Sequence, residues 1–276
     1  MSEKWENFLK NLGEWRGSFT QFSLQGKQLS STNSIINLDG FDNNQVVRFR
    51  VRRFGEGNYN TPPTQDNQQE YRSLGQQIVL FGTGAFSKGS FQVSPISEFG
   101  AEYGFVATDR RLRFVQLYTK QGDFQGLTLI REFRAGTNAL ERPALTLDQL
   151  LGTWEGQAET QYADLRNPTQ CVTRLKIEKN GNRQIRQSLE FEGQSVTSTA
   201  RIEGNQLLFG GGVDRVVTLL PDGASSNIPL KISSRQLFFV ETGWLISPTE
   251  RQRLIRHYDD KGAWTGSTHV REQKIS

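Results

Sequence analysis

The chain has 276 residues, with 33 Lys and Arg against 29 Asp and Glu; the formal net charge of +4 and the lack of a concentrated basic run argue against a nucleic-acid binder. Aromatic residues make up 11%, with 27 Gly and only 8 Pro, a mixture that favours many short strands joined by tight turns. No apolar stretch approaches the ~20 residues of a membrane span, acids follow Met1 where a secretion signal would be apolar, and the single Cys171 has no intrachain partner, so a cytoplasmic location is expected.

In chain order, Trp5, Phe8, Leu9 and Leu12 recur at helical spacing and predict a short amphipathic helix. Gly13-x-Trp15 then opens a first strand. Val47, Phe49 and Val51 alternate with Arg48, Arg50 and Arg52, the pattern of a half-buried strand; with Arg53 these arginines read as a solvated face rather than an anion patch. Asn58 to Glu70 is polar, holds adjacent prolines and reads as a surface loop, with a lid over a barrel mouth as the alternative. Gly82-Thr83-Gly84 and Gly210-Gly211-Gly212 each follow an apolar run and read as bends or bulges. Leu112, Phe114, Gln116 and Tyr118 form the more apolar face of a later strand, and Arg111 and Arg113 take the other. Ala135 to Pro143 has the turn formers of a linker. Thr146 with Gln149 then resembles a capping box that opens a second short helix, followed by Gly152-x-Trp154.

The chain repeats itself. Arg111 to Glu132 and Arg251 to Glu272 align without gaps and share Arg111/Arg251, Arg113/Arg253, Tyr118/Tyr258, Gly122/Gly262, Gly126/Gly266, Thr128/Thr268, Arg131/Arg271 and Glu132/Glu272. Ordinary composition gives roughly one or two such coincidences. Leu12 to Gly17 matches Leu151 to Gly156, and Gly104-Phe105-Val106 matches Gly243-Trp244-Leu245. A tandem duplication follows, with domains expected at 1–138 and 139–276.

An antiparallel sheet of this length hides its edges completely by closing. Gly-x-Trp on the first strand and Arg131 or Arg271 on the last resemble the lipocalin (calycin) superfamily, whose floor indole lies beneath a last-strand arginine. The resemblance implies that Trp15, Arg131, Trp154 and Arg271 seal the barrel floors. The fold expected is all-β: two tandem antiparallel lipocalin-like or streptavidin-like barrels, each preceded by a short helix. The repeated Gly-x-Trp, the Gly122 to Gly126 and Gly262 to Gly266 hairpins and the following Arg-Glu are similar over the whole chain to an uncharacterised cyanobacterial family of tandem lipocalin-like barrels. Bilin lyases of phycobiliproteins resemble it in fold only.

The sequence has no metal-ligand spacing, Gly-x-Ser-x-Gly elbow or phosphate loop, so no metal, cofactor or catalytic residue is assigned. The expected function is binding of an apolar or amphipathic small molecule (a tetrapyrrole, carotenoid or fatty acid) inside a barrel, preferably the second. Arg256 and Tyr258 are expected to hold an acidic group, with Trp244 and Tyr162 packing on the guest; Tyr118 and Phe114 line the first barrel. The alternatives are a bilin-lyase-like lyase or isomerase using Glu102 or Glu241 as acid or base, and an interaction module with filled barrels. Oligomeric state is not readable.

Overall fold

The computed structural model describes residues 2–55, 59–211, 214–233 and 235–276. Helix α1 (Glu3–Leu9) starts where the Ser2 hydroxyl accepts the Trp5 amide, with Glu3 and Glu6 placed favourably in its first turn. Nine strands follow. They are β1 (Gly13–Phe22), β2 (Gln28–Phe41), β3 (Val46–Phe54), β4 (Gln65–Tyr71) and β5 (Ile78–Leu80), then β6 (Phe86–Gly89), β7 (Phe99–Val106), β8 (Arg110–Tyr118) and β9 (Phe124–Arg134). Helix α2 (Leu147–Leu150) forms at the expected capping box: both the Thr146 amide and hydroxyl donate to Gln149 Oε1, at 2.8 and 3.1 Å. The second run of strands is β10 (Gly152–Tyr162), β11 (Thr169–Lys179), β12 (Gln184–Phe191), β13 (Gln194–Glu203) and β14 (Gln206–Phe209). It ends with β15 (Arg215–Leu219), β16 (Ala224–Pro229), β17 (Phe238–Ser247), β18 (Glu250–Tyr258) and β19 (Trp264–Lys274).

The protein is all-β with two barrel-like domains. Strands β10 to β19 form a closed ten-stranded antiparallel barrel in sequence order, with β19 returning to β10. The first nine form a curled sheet in the order β4-β3-β2-β1-β9-β8-β7-β6-β5. The closed barrel has ten strands, and among the described residues β4 and β5 do not pair, so the first sheet has a seam. The cause is local. Their counterparts β13 and β14 meet through a tight Gly204-Asn205 turn with Gly204 at φ +58°, whereas residues 72–77 lie between β4 and β5.

The polar segment expected to be a loop is partly a strand. Its periodicity is carried by charge rather than apolar side chains: β4 lies against β3, where Arg48 meets Glu70 at 3.2 Å and Arg50 meets Asp66 at 2.5 Å. Asn58 in that segment, and Gly212 in the triple glycine, lie outside the described residues. Gly82 to Gly84 is the turn between β5 and β6, with Gly84 at φ +87°.

Compact units cut across the sequence halves. One comprises Met1–Gly89, Glu102–Gln116 and Gly126–Glu141; the other comprises Ser90–Ala101, Leu117–Gln125 and Arg142–Ser276. Among the described residues no helix is long and apolar enough to cross a membrane.

Strands β1 and β9 approach so closely at Gly17 that a Cβ there would lie 1.7 Å from the Arg131 carbonyl oxygen, a backbone atom that cannot swing away. Gly17→Ala should destabilise the chain by about 1–3 kcal/mol. Gly126→Ala, where a Cβ meets nothing within 4 Å, should stay within about 0.5 kcal/mol. Urea unfolding compares the two, and equal midpoints would contradict this packing.

Candidate functional site

Each domain has a fully buried indole at one end. Trp15 Nε1 donates to the Asn11 carbonyl and Trp154 Nε1 to the Leu150 carbonyl, both at 2.9 Å. The cations over them are not those expected. Arg134 and Arg111 lie 4.3 and 4.9 Å from the Trp15 ring centroid; Lys274 and Arg251 lie 5.3 and 4.8 Å from that of Trp154. Register explains the correction. Trp15 pairs with Arg134 and Trp154 with Lys274, whereas Arg131 pairs with Ser18 and Arg271 with Gln157, on the opposite face. Arg131 instead contacts Glu141 and Thr20.

The arginines of the repeated Arg-x-Arg face inward with the indoles. Arg111 reaches Glu132 at 2.6 Å, and Arg113 bridges Glu132 at 3.1 Å and Glu102 at 2.9 Å, while Lys88 adds a 2.8 Å contact to Glu102. In the second domain Arg251 and Arg253 hold Glu272 at 2.6 and 2.8 Å; Arg253 and Asn227 hold Glu241 at 3.1 and 3.0 Å. Burial alone would raise the Glu132 and Glu272 pKa values, but the paired guanidiniums outweigh it and hold both below the carboxylate norm. Glu102 is lowered in the same way by Lys88 and Arg113. It is therefore a committed carboxylate rather than a proton donor at neutral pH.

It follows that Leu112, Phe114, Gln116 and Tyr118, and their counterparts Leu254, Arg256 and Tyr258, lie on the outer faces of their sheets. Of the expected site residues, Phe114, Tyr118, Arg256 and Tyr258 thus lie outside the lumen. Arg256 is fully buried, donates to Tyr258 Oη at 2.9 Å and lies 4.3 Å from the Trp264 centroid. This outer patch is covered from within the same compact unit by Ser90–Ala101 and Leu117–Gln125. Phe99 packs edge-on to Tyr258 and Tyr118, Phe91 tilts against Trp264, and Tyr258 Oη donates to the Ser90 carbonyl at 2.9 Å. Tyr118 Oη donates to Pro229 O at 2.9 Å. Trp244 donates to the Asp222 carbonyl beneath Arg142, and Phe114 meets Phe105 edge-on. Tyr162 has the parity of Trp154 but ends against Thr169 and Arg166. The structure therefore unites Arg256, Tyr258 and Tyr118 around Phe99, and leaves Trp244, Phe114 and Tyr162 apart.

A half-open cavity lies in the first domain. It measures 340 Å³ and lies between α1 and the inner faces of the curled sheet, along the β4–β5 seam. Phe8, Phe19, Leu38, Phe49, Val51 and Leu80 give it apolar walls; Arg53, Lys88, Arg111, Arg113 and Glu102 supply charge. Arg53 stacks 4.1 Å from the Phe19 centroid, its Nε is buried without a hydrogen bond, and its guanidinium makes no ion pair among the described residues. Burial and the neighbouring Arg113 lower its pKa. The sequence reading missed it, although a signal was present: the Arg52-Arg53 doublet gives Arg53 the inward parity of Val47, Phe49 and Val51. The second barrel is different. Leu175, Ile177, Ile185, Leu207 and Leu245 fill the space above Trp154. Register also equates Arg53 with Phe191, two residues beyond the Ile36–Val51 and Leu175–Leu189 pairs.

Residues 1–137 match the family described as "Domain of unknown function (DUF3598), N-terminal", and residues 141–275 match "Biogenesis factor required for ATP synthase 1, C-terminal domain". A DUF3598 protein of unknown function from Nostoc punctiforme is 46% identical, with each chain covered 100% and a TM-score of 0.93. The chain belongs to the DUF3598 family. This DUF3598 protein also shows a slight likeness to an S-type phycobiliprotein lyase, CpeS, from Guillardia theta. That match has 12% identity and a TM-score of 0.38, and covers 47% of this chain and 90% of the other. No curated protein matches it.

Two buried imidazoles should make the DUF3598 chain less stable in mild acid. His269, buried against Gln252 at 2.8 Å, has its pKa lowered to about 3 by burial and by Arg271; His257, beside Thr268 at 2.9 Å, is lowered to about 4 by burial. Both stay neutral in the folded chain at pH values where the unfolded chain protonates near 6.5. Stability should therefore fall as pH drops below about 6.5, by at most about 1.4 kcal/mol per pH unit for each ring. Glu132 and Glu272 add their loss only below the ordinary carboxylate range. Urea midpoints from pH 7 to 5 should decline, and His269→Gln should flatten the slope; a flat wild-type profile would contradict the assignment.

Proposed function

We propose that the first domain binds an amphipathic small molecule of medium acyl size in its lumen, as a lipocalin-like carrier of the cytoplasm. The cavity carries this reading: 340 Å³ of space with apolar walls and cationic groups at one side, within the range of small-molecule pockets. This volume is at the small end of that range. That size favours the fatty-acid-like member of the expected set over a tetrapyrrole or a carotenoid, and favours the first barrel over the second. The unpaired β4–β5 seam supplies a lateral route in. The lone Cys171, with no second cysteine, suits a reducing compartment. Native mass spectrometry of the full chain with decanoate should show a 1:1 adduct. Val51→Trp, which puts an indole into the cavity, should weaken it at least about tenfold, the equivalent of ~1.4 kcal/mol. An adduct indifferent to Val51→Trp would refute a luminal site.

A second reading concerns residues 141–275. Their match to the C-terminal domain of a biogenesis factor required for ATP synthase supports a role as an assembly partner of that complex, and the packed core above Trp154 leaves this domain its outer surface to work with. ATP synthase subunits, identified by mass spectrometry, should co-purify with the cross-linked full chain from its host. Their absence would argue against this role.

A further inference from the structure

The charges around the first lumen do not balance. Among the described residues Arg53, Lys88, Arg111 and Arg113 face two carboxylates, Glu102 and Glu132. Those two carboxylates are already shared by Lys88, Arg111 and Arg113, which leaves a net positive lining and Arg53 as the cation in it without an ion pair among the described residues. At the equivalent register position the second barrel holds an uncharged residue, Phe191, opposite Thr173 as Arg53 is opposite Ser34. Arg53 is half-buried, with its Nε out of water, lies beside the Arg113 guanidinium and makes no ion pair among the described residues, so an anion that joined it in the cavity would be favoured.

We infer that Arg53 receives the carboxylate head of the guest, which makes the ligand class a medium-chain monocarboxylate whose tail runs along Val51 and Phe49 towards α1. This inference rests on the luminal reading above. The geometry favours a planar acid. The Arg53 guanidinium lies 4.1 Å from the Phe19 ring centroid, and a guanidinium fork can donate two parallel hydrogen bonds to one carboxylate. The strand supplies the direction. Val47 packs with Trp5 and Trp15 at the α1 end, and Phe49, Val51 and Arg53 follow it on the same face, so the row runs from apolar floor to cation.

Isothermal titration of the full chain with decanoate and with uncharged 1-decanol tests this and separates it from the luminal reading. The wild type should bind decanoate at least about tenfold more tightly than decanol, the smallest effect expected of a charge-assisted hydrogen bond. Arg53→Gln should erase that preference by weakening decanoate alone. Arg53→Lys, which keeps the charge but not the fork, should retain part of it. Equal wild-type affinities, or a preference that survives Arg53→Gln, would overturn the role of Arg53 while leaving a luminal site standing. Failure of the wild type to bind either probe would remove the luminal reading and this inference together.

Discussion

Trp15 and Trp154 have no exposed surface, and each lies beneath two cations that would be costly to bury alone. Guanidiniums leave water at a cost of several kcal/mol each unless carboxylates complete their hydrogen bonds. Glu132 and Glu272 do so, each clamping two arginines of one strand. The carboxylate holds the arginine, the arginine covers the indole, and the indole closes the end of the domain. This chain of dependence explains why Arg-x-Arg and the later glutamate, Glu132 or Glu272, recur at the same spacing in both halves.

On that common floor the two domains diverge. Where β13 and β14 meet through a two-residue turn, the barrel shuts and aliphatic side chains fill it. Where β4 and β5 are separated by a longer connection, the sheet keeps a seam and a space beside it. The residue at the equivalent register position differs as well: Phe191 in the second domain, Arg53 in the first. Duplication thus provides an internal comparison in which one copy shows the packed solution and the other the chemistry left when packing is relaxed.

The outer faces have a separate logic. Arg256 with Tyr258, the pair that looked most like a carboxylate clamp, is covered by Phe99 and by the chain around Ser90. Its hydrogen bonds fasten segments of the first sequence half to the second compact unit. A polar pair on an apolar face describes a docked surface as well as it describes a pocket.

The tandem repeat, the all-β class, both capped helices and the two buried indoles were legible in the sequence, because each depends on neighbours within a few residues. The facing of β8 and β18 was not. Alternation separates two faces but does not say which is the lumen, and here both are buried: the arginines go inward because glutamates await them across the sheet. The same one-step ambiguity gave Arg131 the position that register assigns to Arg134. Arg53 became visible only in three dimensions, since its significance lies in what fails to stand opposite it, and partners distant in the chain are set by strand pairing and closure rather than by local spacing.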